Sequence, residues 1–220
     1  MIESSTLKFL KDLSKHNERE WFQANKGRFV AAQDNVIAFT GQMIGEIAKF
    51  DDAVAGLDPK ACVFRIYRDT RFAKDKSPYK TNLGCWISPG GRRSMLPGYY
   101  FHIEPGGSFI AGGKHQPDSS ELLKIRSLIA SNTNEFLKIV ESKAFNERFG
   151  RLFGESLAKP PKGFDADHPA IGYLKLKTFT AYREYHDDAN VSTAEYPKLL
   201  AKDAKAMYPL VTFLRNALAV

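Results

Sequence analysis

The sequence has little cysteine, no long apolar run and none of the common nucleotide-binding or hydrolase signatures. Each absence excludes something. Two cysteines, Cys62 and Cys85, cannot build a disulfide framework, which favours a reducing compartment and a cytoplasmic location. No stretch reaches the roughly 18 apolar residues that crossing a bilayer requires, and Met1-Ile2-Glu3-Ser4-Ser5-Thr6 lacks the basic-then-apolar layout of a secretory leader. No membrane partner is therefore expected. Gly112-Gly113-Lys114 invites a phosphate-loop reading, but Ser108 and His115 stand where that loop needs a glycine and a Ser or Thr. No Gly-x-Gly-x-x-Gly opens a helix and no Gly-x-Ser-x-Gly elbow occurs. His102-x-Glu104 begins like a zinc-deaminase pattern, but the Pro-Cys-x-x-Cys that must follow is missing. No cofactor and no metal site is assigned. Asp165, Asp167 and His168 have no fixed ligand spacing, so Asp167 reads as a turn former before Pro169.

What remains is a chain of 220 residues, long enough for a real core and expected to form one domain over 1–220. Leu7, Leu10 and Leu13 mark a first short helix. Phe22, Phe29, Val36 and Met43, seven apart, predict one long amphipathic helix from about Glu18 to Lys49, opened by Asn17 and Glu20 as a capping box. After Pro59 the period becomes alternating, and about five short strands are expected, near 62–68, 83–88, 99–103, 108–112 and 174–185. Pro89-Gly90-Gly91 and Pro105-Gly106-Gly107 supply turns between them. Asp118 with Glu121, Asn132 with Glu135 and Ser192 with Glu195 predict later helix starts, and Pro209 a kink in the last helix. Short connections favour antiparallel pairing, so the class is α+β with a mainly antiparallel sheet.

The net charge of +7 is concentrated. Residues 1–60 carry 8 Lys and Arg against 9 acids, residues 65–93 carry 8 against 2, and residues 94–220 carry 16 against 14. Within the basic segment, Arg65, Arg68, Arg71, Lys74, Lys76 and Lys80 interleave with Tyr67, Phe72 and Tyr79. Guanidinium forks and ammonium heads in one place suit phosphate or carboxylate oxygens, and phenyl rings suit stacking. The plainer alternative is internal pairing and a solvated face.

Certain residues across the chain carry a resemblance: Asn17-Glu18-Arg19-Glu20-Trp21-Phe22 with Asn25-Lys26, Arg65 through Thr81, and Gly98-Tyr99-Tyr100 with His102-Ile103-Glu104-Pro105-Gly106. Gly112-Gly113, and Pro160-Pro161-Lys162-Gly163-Phe164 with Asp167-His168-Pro169, complete the set. Together they resemble the bacterial family catalogued as domain of unknown function 2461. That resemblance implies a soluble α+β protein and supplies no catalytic residue.

Tyr100, His102 and Glu104 alternate along one strand, so they share a face, which suits His102 and Glu104 to acid/base work or to a structural polar rim. Three readings follow. The first is a module that binds an anionic small molecule through Arg65, Tyr67, Arg68, Arg71, Lys74, Lys76, Tyr79 and Lys80. The second is a hydrolase or a phosphoryl- or acyl-transfer enzyme that adds His102 and Glu104 as acid and base. The third is a nucleic-acid-binding protein, which the basic composition favours although no recognition helix is readable.

Overall fold

The computed structural model describes residues 1–219. Its elements run α1 (Ser4–Lys15), α2 (Arg19–Ala24), α3 (Lys26–Ile47), α4 (Pro59–Cys62), β1 (Leu83–Ile87), β2 (Gly98–Ile103) and β3 (Ser108–Lys114). They continue as α5 (Ser119–Ser131), α6 (Thr133–Val140), α7 (Lys143–Phe149), α8 (Ile171–Leu174), β4 (Phe179–Tyr185), α9 (Asp188–Val191) and α10 (Tyr196–Leu218). The strands form one antiparallel sheet in the order β1-β2-β3-β4, and the class is α+β, with helices before β1, between β3 and β4, and after β4. No helix among the described residues is long and apolar enough to cross a membrane.

The chain divides into two compact units. The first holds Met1–Ser94, Tyr100–Ile110 and Glu184–Lys202. Leu7, Phe9, Leu10 and Leu13 of α1 are buried there, as their spacing predicts. Phe9, Phe22 and Phe29 meet as a ring cluster with centroids 5.0–6.4 Å apart. A Phe side chain of this kind contributes about 2–3 kcal/mol by leaving water. Alternation along the strands sends Leu83, Cys85, Ile87, Phe101 and Ile103 to the core, where Phe39 of α3 meets Phe101 edge-on at 6.0 Å.

The second unit holds Met95–Tyr99, Ala111–Arg183 and Asp203–Val220. Phe136 of α6 packs against Tyr173 and Phe213. Asp203 is fully buried and accepts from Arg148 at 2.6 Å and Arg183 at 3.1 Å. Asp118 and Glu121 close the expected capping box at the start of α5. The second oxygen of Glu121 takes the buried Lys114 ammonium.

Several expected boundaries move, for local reasons. The long helix at 18–49 is two helices, because Asn25 leaves helical geometry (φ −106°, ψ 17°) and turns its side-chain amide back onto the Trp21 carbonyl at 2.9 Å. Asparagine competes for backbone partners in this way and so interrupts helices. Asn17 caps nothing. Its amide instead clamps the backbone of Tyr79, donating to the carbonyl at 3.0 Å and accepting the N–H at 3.1 Å. The expected strand at 62–68 begins inside α4, and the rest touches its neighbour only at isolated bridges, Val63 opposite Cys85 and Tyr67 opposite Tyr79. Four steps on one side face six on the other, and that slip prevents a continuous ladder.

The expected strand at 174–185 starts regularly only at Phe179. Leu176 and Thr180 make isolated bridges to Ser156 and Phe153. Ser192 lies just past the end of α9 and caps no helix, and α10 continues through Pro209 as one element. Asn132 donates to the Leu128 carbonyl rather than capping α6.

Candidate functional site

The basic run from Arg65 to Thr81 leaves Cys62–Val63 and returns antiparallel to itself toward β1. Ile66 accepts the Lys80 N–H at 2.8 Å, and Arg68 donates its N–H to the Pro78 carbonyl at 3.0 Å. Two rings fix the base of this excursion. Tyr79 is buried and stacks on Phe22 at 3.9 Å, and Tyr67 leans on both, half-exposed. Tyr79 therefore faces the core and holds the loop in place, and burial pushes its phenol above the ordinary range.

The cations separate into those that are paired and those that are not. Arg68 pairs with Asp75 and also donates to the Ser77 carbonyl at 3.2 Å. Arg71 grips Asp69 through Nε and Nη2, at 3.0 and 2.7 Å. The Lys76 ammonium caps the carbonyls of Thr70 and Arg71. Ser77, through its hydroxyl and N–H, and then Arg68 hold the Asp75 carboxyl far below the carboxylate range. The Arg71 side chain does the same for Asp69 to a lesser degree. Asp69 and Asp75, the two acids of the run, are thus both occupied.

Arg65 and Lys74 are exposed and have no acid partner. Lys80 is half-buried, with Nζ 5.7 Å above the Phe64 ring. Desolvation, and then the like charge of Arg65, lower the affinity of Lys80 for its proton. Arg65 and Lys80 therefore form a pair of neighbouring cations with no carboxylate in ion-pair contact among the described residues; the Asp69 charge reaches Arg65 only at longer range.

Phe64 leads from these cations to the face of the sheet that bears Tyr100, meeting its ring edge-on at 6.1 Å. On that face the alternation of β2 sets out a hydrogen-bonded chain. The Tyr100 hydroxyl lies 3.0 Å from His102 Nδ1, and His102 Nε2 lies 3.0 Å from Glu104 Oε2. The Thr81 hydroxyl donates to Glu104 Oε1 at 2.8 Å. An ionised carboxylate only accepts, so in the neutral imidazole an Nε2–H facing Glu104 leaves Nδ1 to receive the tyrosine O–H. His102 is 12% exposed, sandwiched flat against Phe109 at 4.4 Å. Burial above all, with a smaller push from the Glu104 charge, holds the Tyr100 phenol well above its usual value, so Tyr100 stays protonated and donates. Gly84 of β1 makes the chain possible, because a Cβ there would stand 2.7 Å from the Tyr100 hydroxyl.

Thr81 joins the two sequence-derived candidates, since it follows Lys80 in the chain and bonds Glu104, the residue just past the end of β2. The structure thus brings Arg65, Lys80, Tyr100, His102 and Glu104 to one neighbourhood. Arg71, Lys74 and Lys76 belong to the tip of the loop. Sequence reasoning missed Thr81, Gly84, Phe64 and Phe109, whose places depend on which strands pair and in what register.

Among the described residues no group of three or more His, Cys, Asp or Glu side chains converges as a metal site. His168 serves a turn, accepting the Ala170 N–H at 3.1 Å. No curated protein and no solved structure matches the chain. A family model described as conserved hypothetical protein (DUF2461) covers residues 5–213, nearly the whole length, and the chain belongs to that family.

Proposed function

We propose that the protein binds a small oxyanion, a phosphate- or carboxylate-bearing molecule, between Arg65 and Lys80. The observation that carries this reading is the pairing pattern. Arg68 and Arg71 hold the acids of the basic run in close pairs, while Arg65 and the half-buried Lys80 feel each other's charge with no carboxylate in ion-pair contact among the described residues, Asp69 acting on Arg65 only at a distance. Two like charges held close in partly dry surroundings destabilise the free protein, and an oxyanion relieves both costs at once. Titration calorimetry with inorganic phosphate, nucleotides and sugar phosphates tests it. Arg65→Ala combined with Lys80→Met should weaken binding at least about tenfold, the loss of one charge-assisted contact or more. Arg71→Ala, which removes an already paired cation, should change it little. Equal binding by the wild type and the double variant overturns the reading.

The ordered Tyr100–His102–Glu104 chain favours a second reading, an enzyme that moves a proton to or from the bound molecule. A hydrolase and phosphatase screen separates the two readings. In an enzyme, His102→Ala abolishes turnover while calorimetric binding persists. Turnover unchanged in a folded His102→Ala protein removes His102 from the mechanism.

A further inference from the structure

The tip of the basic loop is built to hold one aromatic ring out in water. Phe72 is 94% exposed, far more than the other exposed large apolar side chains. The loop beneath it is closed by its own hydrogen bonds. Asp69 takes the Arg71 guanidinium and N–H. Asp75 takes the Ser77 N–H and hydroxyl and the Arg68 guanidinium. Lys76 Nζ caps Thr70 and Arg71, and the Ala73 N–H returns to the Thr70 carbonyl at 3.4 Å. Tyr79 is buried on Phe22 and Tyr67 leans on it half-exposed, so Phe72 is the one ring of the run left almost wholly in solvent. The Arg71 guanidinium lies 5.8 Å from the Phe72 ring centroid. Lys74 and Lys76 stand exposed on the same loop.

We propose that this tip docks single-stranded nucleic acid, with a base stacking on Phe72 and the flanking phosphates meeting Lys74 and Lys76. An open ring beside the exposed ammonium groups of Lys74 and Lys76, which no carboxylate pairs among the described residues, fits a partner that brings planar apolar surface and negative charge together along a flexible chain. A duplex keeps its bases stacked inside and offers the ring nothing. A bilayer is a poorer fit, because the tip carries a single large apolar side chain, and anchoring at the interface takes a wider apolar face or a denser basic cluster. A ring stacked on any base reads no sequence, so binding is sequence-tolerant and falls with salt.

The test is fluorescence anisotropy of end-labelled oligothymidine and oligouridine, about 15 nucleotides long, and of a duplex of equal length, with the full chain. The wild type binds the single strands more tightly than the duplex. Phe72→Ala weakens single-strand binding about tenfold or more, the range of one lost stacking contact, and leaves the fold intact because the side chain touches almost nothing. Phe72→Trp keeps binding, and its added emission is quenched by the oligonucleotide. Lys74→Ala lowers affinity and reduces the dependence on salt. Any one of three results overturns the proposal: Phe72→Ala binding like the wild type, duplex bound as tightly as single strand, or association with phosphatidylserine vesicles but with no oligonucleotide. The Arg65→Ala, Lys80→Met protein separates this site from the oxyanion pair. If it loses phosphate but keeps Phe72-dependent oligonucleotide binding, the tip acts independently. If the wild type ignores phosphate but binds single strands through Phe72, the oxyanion reading falls and this one stands.

Discussion

Lys80 shows how much one side chain's surroundings decide. Burial and Arg65 both disfavour its charged form, so the folded protein releases this proton at a lower pH than the unfolded chain does. Between the two values the unfolded state binds more protons, and stability therefore rises with pH across that window. Anion binding runs the other way, because the charge that grips the ligand is lost before the ordinary lysine range of about 10.4 is reached. Sulfate keeps a fixed charge here and makes a clean probe. Its affinity, followed by calorimetry from neutral to alkaline pH, should fall in the wild type and stay level in Lys80→Arg. A level wild-type profile would remove Lys80 from the site. The glycines give a second test at this scale. At Gly84 a new methyl meets Tyr100, so alanine should cost about 1–3 kcal/mol. At Gly27, inside α3, nothing lies within 4 Å, and alanine should add up to about 1 kcal/mol through helix propensity. Urea denaturation of the two variants should therefore move in opposite directions.

At the scale of elements, legibility follows from how local the cause is. The face shared by Tyr100, His102 and Glu104 was readable because alternation along one strand depends on no other residue. The capping box of Asp118 and Glu121 was readable for the same reason, since both partners lie within one turn. Thr81 and Gly84 were not, because β1 had first to pair with β2 in one register. Asn17 misled because its chemistry suits a cap equally well, and only the folded chain brings the Tyr79 backbone within reach. That exchange has a measurable consequence. Asn17→Ala leaves the N–H and carbonyl of Tyr79 without this partner and should cost about 1–2 kcal/mol. It should also speed hydrogen exchange along 65–81, whose closing bridge is Tyr67 opposite Tyr79. Asp118→Ala should cost a similar amount, about 1 kcal/mol, yet leave exchange in 65–81 unchanged. If both variants raise exchange there equally, the clamp is not what anchors the loop.

For the whole molecule, the charge count located the unusual segment before any coordinate, because concentration of one sign is visible in sequence alone. It did not tell paired cations from unpaired ones, since pairing depends on where Asp69 and Asp75 turn their carboxylates. The core of the first unit holds both cysteines. Cys62 and Cys85 are free and buried. Burial raises both thiols, Cys85 to about 12, so almost no thiolate exists at neutral pH and no reagent can reach one. Cys85 sits in β1 opposite Val63, beside the segment that carries Arg65, so its labelling reports opening of the core behind the candidate site. The folded protein should therefore resist an aromatic disulfide reagent at pH 8 and react with two equivalents once unfolded in urea. The labelling rate in intermediate urea should follow the unfolding equilibrium, and reductant should leave the melting temperature unchanged, as the native chain has no disulfide to lose. Rapid native-state labelling of either thiol would mean that this core opens locally. The basic segment would then rest on a looser base than its packing requires, and the fixed geometry assigned to Arg65 and Lys80 would fail with it.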